Sequence, residues 1–249
     1  MMAVLITRPA PDHIATADAL RARGIDALTA PMLRYEPVAF ALPADAAIDA
    51  LLVTSANALR ALAEMPVPAC WLSRPLYAVG ERTAEAARTL GFTKVTAAEG
   101  DGASLRDLVV AERQAKRLKP AATLLYPAAA DRAVDLDEAL RPHGFDVITV
   151  TAYRMVALAH LPDDVCRAFA AGRIDAVLHY SGRSARSFVD AVRTAGLEIT
   201  ALAVPHCCFS ANIAAVLREA GATQVAVAQT PHENALFDTL DRALRAQSR

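Results

Sequence analysis

The sequence predicts an α/β protein built on open parallel sheets, and three observations carry that prediction. Short, continuously apolar runs rich in β-branched residues recur along the chain. Amphipathic, Ala- and Leu-rich segments fall between them, and the order of pieces in the first half returns in the second. A strand apolar on both faces belongs to a sheet covered by helices on both sides, which is how parallel sheets are built.

Taken in order, the strand candidates are AVLITRP from Ala3, ALLVTS from Ala50, PLYAVG from Pro75, ATLLYP from Ala122, DVITVTAYRMV from Asp146, DAVLHYS from Asp175, HCCFS from His206 and QVAVAQ from Gln224. Helical patterns include Asp12 to Arg23, Ala56 to Glu64, Glu81 to Leu90 and Arg183 to Ala195. Gly24, Gly91, Gly144, Gly196 and Gly221 stand in the post-helix position, where a left-handed backbone is easiest for glycine.

Three pairs of segments recur in the same order. AVLITRPAPDHIATADALRARGIDALTAPMLRYEPV matches ATLLYPAAADRAVDLDEALRPHGFDVITVTAYRMV, and DALLVTSANALRALAE matches DAVLHYSGRSARSFVDA. YAVGERTAEAARTLGFTKVTAAEGDGASLRDL matches CCFSANIAAVLREAGATQVAVAQTPHENALFDTL. Such a pattern suggests duplication and two similar α/β lobes. The Pro-bearing stretches Pro37 to Pro43 and Ala157 to Pro162 lack helical periodicity and are candidate linkers. A ligand cleft between the lobes is the default expectation.

The 249 residues include 26 Lys plus Arg against 27 Asp plus Glu, a net charge of −1. That balance argues against a general nucleic-acid or anionic-membrane binder, since both rely on a basic surplus. A hydrophobic fraction of 54% and a mean hydropathy of +0.25 predict a large core. No apolar run approaches the ~18 residues of a membrane span, and the opening MMAVLITRPAPD lacks the features of a signal peptide, so a cytoplasmic protein is expected. Cys70, Cys166, Cys207 and Cys208 form no C-x-x-C and read as small buried hydrophobes rather than a metal or redox site. The histidines at 13, 143, 160, 179, 206 and 232 are scattered and read as surface or satisfied core residues.

Open parallel sheets bind ligands beyond the carboxyl ends of their strands. Here those positions hold Thr7 and Arg8; Thr54, Ser55 and Asn57; Gly80, Arg82 and Thr83; Tyr126 and Arg132; Ser181, Arg183 and Ser184; Ser210 and Asn212; and Thr230. Two readings stand side by side. Ser, Thr and Asn at helix starts are good N-caps, whereas helix N-termini gathered at one edge make a ready anion site. The absence of G-x-G-x-x-G after the first strand and of G-x-x-x-x-G-K-[ST] argues against a dinucleotide or nucleotide. G-x-S-x-G and H-E-x-x-H are missing as well. An enzyme with this sequence would catalyse a reaction needing little beyond positioning, a mild acid and anion binding.

The pieces LITRP, LLVTSANAL, YAVGERTAEAARTLGF, LLYPAAADR, VTAYRM and AQTPHENAL, in this order over nearly the whole chain, resemble the uroporphyrinogen-III synthase family. The resemblance implies two Rossmann-like α/β lobes with parallel sheets, joined by a two-stranded linker, with the active site in the inter-lobe cleft and neither metal nor organic cofactor. Carried over, lobe one is 1–35 plus 158–249 and lobe two is 39–152, with linkers near 36–38 and 153–157. The implied substrate is the linear tetrapyrrole hydroxymethylbilane, with eight carboxylates. It would lose its ring A hydroxyl to give an azafulvene, be attacked by the substituted carbon of ring D, and reclose through a spiro intermediate with that ring inverted.

The family's catalytic candidate, a Tyr just before the return linker, maps to Tyr153, which could protonate the departing hydroxyl or simply pack where lobes meet. Family contact positions map to Ser55, Asn57, Thr83 and Ser181. Arg8 matches another, where a buried ion pair would explain it equally well. Arg132, Asn212 and Thr230 complete the proposed substrate contacts. Departures from the family are Ala128 and Ala129 after Tyr-Pro, and Ser210-Ala211-Asn212-Ile213-Ala214, where Asn212 replaces a hydroxyl and Ile213 replaces the next. The expectation is therefore a cyclising lyase of porphyrin and heme biosynthesis, acting as a monomer without nucleic-acid or membrane partners. A non-catalytic two-lobed tetrapyrrole- or polyanion-binding homologue is the alternative, and a nucleotide- or sugar-using α/β enzyme comes third.

Overall fold

A computed structural model describes residues 2–42, 46–132 and 135–247; Pro43 of the first candidate linker and Met1, Ser248 and Arg249 of the expected first lobe lie outside them. In chain order the elements are β1 (Ala3–Ile6), α1 (Asp12–Arg21), β2 (Asp26–Thr29), β3 (Leu33–Pro37), β4 (Ala50–Val53), α2 (Ala56–Ala63), α3 (Ala69–Leu72), β5 (Pro75–Val79), α4 (Glu81–Thr89), β6 (Lys94–Ala98) and α5 (Gly102–Gln114). They continue with β7 (Thr123–Ala129), α6 (Leu136–Leu140), β8 (Asp146–Ala157), α7 (Asp163–Ala170), β9 (Ala176–His179), α8 (Gly182–Thr194), α9 (Glu198–Ala203), β10 (His206–Cys208), α10 (Ala211–Glu219), β11 (Val225–Val227) and α11 (Glu233–Gln247).

The chain divides into two compact units, one of residues 1–34 and 156–249, the other of residues 35–155. Both crossings fall inside strands, β3 on the way out and β8 on the way back. The first unit holds a five-stranded sheet in the order β11-β10-β9-β1-β2, all of whose neighbours pair in parallel. The second holds a six-stranded sheet in the order β3-β8-β7-β4-β5-β6. Its strands from β8 to β6 are parallel. The amide of Leu158 donates to Met32, and that of Val38 to Ala152, so β3 runs against β8.

Successive strand residues point to opposite faces, and both faces are dry. In the first unit Val4, Ile6, Ala176 and Leu178 pack with Leu20, Leu236 and Leu240, while Leu5 and Val177 pack with Val165, Phe169, Phe188 and Leu217. In the second, Leu51, Val53, Leu76 and Leu125 meet α2 and α4 through Leu59, Leu62 and Ala84. Ala50, Leu52, Tyr77 and Leu124 meet α5 and α6 through Leu105, Val109 and Leu136. This two-sided burial is why the central strands read as unbroken apolar runs.

The eight strand candidates all form strands, and the five post-helix glycines all have positive φ. Strands β2, β3 and β6 fall outside those eight. Each lies at the edge of its sheet, where one flank meets solvent and the sequences DALT, LRYEP and KVTAA can carry charged and polar residues. One reading of the cysteines is corrected: Cys207 and Cys208 are buried, but Cys70 is exposed, because short α3 buries none of its residues. His179 and His206 are fully buried and hydrogen-bonded, as satisfied core residues should be.

Candidate active site

Parallel strands deliver their carboxyl ends to one edge of each sheet, so the proposed contact residues group by unit. In the second unit, Ser55 and Asn57 follow β4, Thr83 follows β5 and Arg132 follows β7, while Tyr153 lies on β8. In the first, the strand order sets Thr230, Asn212, Ser181 and Arg8 in sequence along the corresponding edge of the sheet, after β11, β10, β9 and β1.

Ser55 caps α2. Its backbone is extended, with φ −156° and ψ 144°, and its Oγ accepts the Asn57 amide at 3.2 Å. The Asn57 side chain donates through Nδ2 to Met155 Sδ at 3.7 Å. Next to the cap, Thr54 Oγ1 lies 3.2 Å from the Tyr126 hydroxyl. Tyr153 is 6% exposed, packed in the apolar cluster beneath α2 and α4. Burial raises its phenol above the usual tyrosine range; the Ser55 hydroxyl opposes that shift, and nearby Tyr126 adds to it. A hydroxyl that lowers a phenol's pKa does so by donating to its oxygen. Ser55 thus accepts from the helix backbone while its hydroxyl also acts on the Tyr153 phenol.

Thr83 sits 7% exposed in the first turn of α4, behind Gly80, whose φ of 74° is left-handed and which offers no capping side chain. Arg132 is exposed in the loop after β7, and Ala128 and Ala129 end that strand without a polar side chain. On the other unit Ser181 caps α8, accepting from the Ser184 amide at 3.1 Å and donating to Ser184 Oγ at 2.9 Å. Asn212 is exposed in the first turn of α10, and its neighbour Ile213 is buried. Ser210 makes no side-chain cap there. Thr230 is exposed, its carbonyl accepting from the His232 amide at 2.8 Å.

Arg8 is tied into the first unit. Its guanidinium meets Glu233 at 3.2 Å, Asp12 at 3.4 Å and Thr16 at 3.2 Å, and lies 4.6 Å from the centre of the Tyr180 ring. Thr16 also donates to Glu233 at 2.5 Å. The ion pair weighed from the sequence is present.

Sequence reasoning missed Tyr35. Its ring stacks on Tyr153 with centroids 5.8 Å apart and planes at 29°, and the Arg60 guanidinium lies 4.1 Å from its centre. The available signal was an aromatic residue in LRYEP, the partner segment of the repeat holding VTAYRMV. Among the described residues, no group of three or more His, Cys, Asp or Glu side chains is placed to share a metal ion, and no helix is long and apolar enough to cross a membrane.

Each unit is an open α/β sheet with parallel strands whose carboxyl ends lead into hydroxyl, amide or guanidinium side chains, and that places the chain in the class of open-sheet α/β proteins. The chain belongs to the uroporphyrinogen-III synthase family: residues 14–238 match the family model described as Uroporphyrinogen-III synthase HemD. The family is one of cyclising lyases in tetrapyrrole biosynthesis, which implies a small tetrapyrrole substrate. The fold is shared with uroporphyrinogen-III synthetase from Helicobacter pylori, at 19% identity and a TM-score of 0.66 over 100% of both chains. A mutant uroporphyrinogen III synthase from the extremely thermophilic bacterium Thermus thermophilus is similar too, at 20% identity and a TM-score of 0.56, covering 99% of this chain and 100% of that one. A search of curated proteins finds no match.

Proposed function

We propose that this chain takes hydroxymethylbilane as its substrate, with Tyr153 protonating the hydroxyl that leaves ring A. The observation that supports this is the buried Tyr153 phenol beside the capped end of α2, near the Ser55 hydroxyl that opposes the rise in its pKa. The C–O bond breaks, the phenol proton joins the departing hydroxide to make water, the pyrrole nitrogen's lone pair forms the N-protonated azafulvenium, and its N–H proton returns to the phenolate to leave the neutral azafulvene. Ring D then supplies its own nucleophile. Orientation of the two ends can supply several kcal/mol of the barrier, and an acid in place about 10²- to 10⁴-fold. Because burial raises the phenol's pKa, it stays protonated at neutral pH.

The eight carboxylates are assigned to donors on the two strand-end edges: Ser55, Asn57, Thr83 and Arg132 on one unit, Ser181, Asn212 and Thr230 on the other. Arg8 belongs to this set through the first turn of α1, which it braces. The lobes that carry them are 1–35 with 158–249, and 39–152. The same reading has the chain working as a cytoplasmic monomer with no metal or organic cofactor, which light scattering and activity after exhaustive chelation would check.

The decisive assay generates hydroxymethylbilane enzymatically, adds this protein and identifies the uroporphyrinogen isomer. Isomer III is expected, and isomer I alone, the spontaneous product, would refute the reading. Tyr153→Phe is expected to lower kcat about 10²-fold while KM stays within threefold; unchanged turnover would remove it as the acid.

A further inference from the structure

We propose that Tyr35 and Arg60 are positioning residues that hold the Tyr153 ring, and with it the phenol proton, in the direction the leaving hydroxyl requires. The proposal rests on Tyr153 being the acid. Tyr153 stands on β8, whose outer neighbour is the edge strand β3. Burial in the apolar cluster restricts the ring, but apolar packing alone does not set the direction of its hydroxyl.

Three contacts supply what is missing. Two residues along β8, on the same face as Tyr153, Met155 is held at its sulfur by Asn57. From β3, the Tyr35 ring stacks at 5.8 Å and 29°, an offset arrangement that aromatic pairs favour. From one turn along α2, Arg60 sets its guanidinium 4.1 Å from the Tyr35 ring centre, within cation–π range. Helix α2 thus starts at Ser55, which acts on the phenol, and presents Arg60 to the ring that braces it.

The Tyr35 hydroxyl separates a bracing role from a chemical one. It is buried and has no hydrogen-bond partner. Glu64 acts on it electrostatically without a well-formed hydrogen bond, and burial first, then Glu64, pushes its pKa up to about 12. A buried hydroxyl left unpaired is a cost, so what the site uses is the face of the ring. Phenylalanine supplies that face; leucine does not.

The test compares Tyr35→Leu, Tyr35→Phe, Arg60→Met and Tyr153→Phe in the isomer assay, with kcat and KM measured separately. Tyr35→Leu is expected to lower kcat at least tenfold with KM within threefold, Tyr35→Phe to recover most of that loss, and Arg60→Met to lower kcat three- to fivefold. If Tyr35→Leu keeps kcat within twofold while Tyr153→Phe loses it, the bracing role fails and the acid stands. Unchanged turnover in Tyr153→Phe overturns both. Equal losses in Tyr35→Leu and Tyr35→Phe also overturn the proposal, because the hydroxyl would then be the active part. Should Tyr35→Leu fail to fold, Arg60→Met decides: this side chain is exposed, and an unchanged kcat there overturns the proposal.

Discussion

Acid should weaken the first unit before the second, and the reason is a pair of buried imidazoles. His206 Nε2 lies 3.1 Å from the Ala201 carbonyl, which can only accept, so that nitrogen carries the proton. His206 Nδ1 must then accept from His179 Nε2, 3.0 Å away. His179 Nδ1 is left without a proton facing Thr7 Oγ1 at 3.4 Å, and the Thr7 hydrogen goes to the Leu178 carbonyl at 2.8 Å. Each ring holds one proton, and Phe188 packs edge-on against both. Burial lowers His206 to about 4 and His179 well below its ordinary 6.5, with His206 itself opposing a charge on His179.

Because these folded-state values are depressed, the unfolded chain takes up protons first. Stability from the pair is fully present above pH 6.5 and is lost as pH falls from 6.5 toward 4. For His206 alone, linkage between 6.5 and about 4 gives a loss of roughly 2 kcal/mol by pH 5 and roughly 3 kcal/mol by pH 4. His179 adds to it. Amide exchange in β9 and β10, corrected for intrinsic rates, should therefore accelerate at least tenfold between pH 6.5 and pH 5. Trp71, the single tryptophan, lies in the other unit and reports that unit's urea midpoint as an internal control. Equal protection of β9 and β10 at the two pH values would refute the reasoning, as would an undiminished acid effect in a His179→Gln, His206→Gln double variant.

Other perturbations have equally definite outcomes. Ser55→Ala removes the α2 cap, so urea unfolding of the second unit should show a loss of about 0.5–2 kcal/mol. It should also lower kcat more than Asn57→Ala does, since the Ser55 hydroxyl acts on the pKa of the phenol. Glu233→Gln leaves Arg8, whose side chain is 18% exposed, with its pairing weakened, and should cost the first unit about 1–3 kcal/mol by exchange or thermal melting. A rise in KM alone would instead make Arg8 chiefly a substrate contact. Burial pushes the Cys207 and Cys208 thiols up to about 12, so a disulfide reagent at pH 8 should modify exposed Cys70 quickly and leave that pair intact until unfolding.

Central strands were legible because parallel sheets covered on both faces leave an unbroken apolar run, as in ALLV and AVLH. Edge strands were less distinct, because a half-solvated strand interrupts the apolar run: QVAVAQ stood out, LRYEP showed only as the second strand of a repeat unit, and KVTAA did not stand out. Strand-end hydroxyls were likewise visible, but their division of labour depends on hydrogen-bond partners. Ser55 and Ser181 both read as caps or ligands, and only geometry shows that each already spends its oxygen on a helix amide. Arg8 could be read two ways until Glu233, 225 residues away, closed on it. Tyr35 escaped notice because its importance is a relation to Tyr153 across 118 positions, as with the neighbouring pair Glu36 and Arg154.

The outward and return crossings have a consequence for synthesis. Strand β1 occupies the interior of its sheet, yet one of its two partners, β9, is made 172 residues later. Residues 35–155, by contrast, are contiguous and can close their own unit as soon as they emerge. At about 5–20 residues per second, the apolar segment AVLI therefore waits roughly 10–30 s beside the ribosome with one edge unpaired. A truncated chain ending near residue 156 should present a finished second unit trailing a sticky N-terminal arm, so aggregation of such fragments is governed by β1 and β2 rather than by the unit that has already folded.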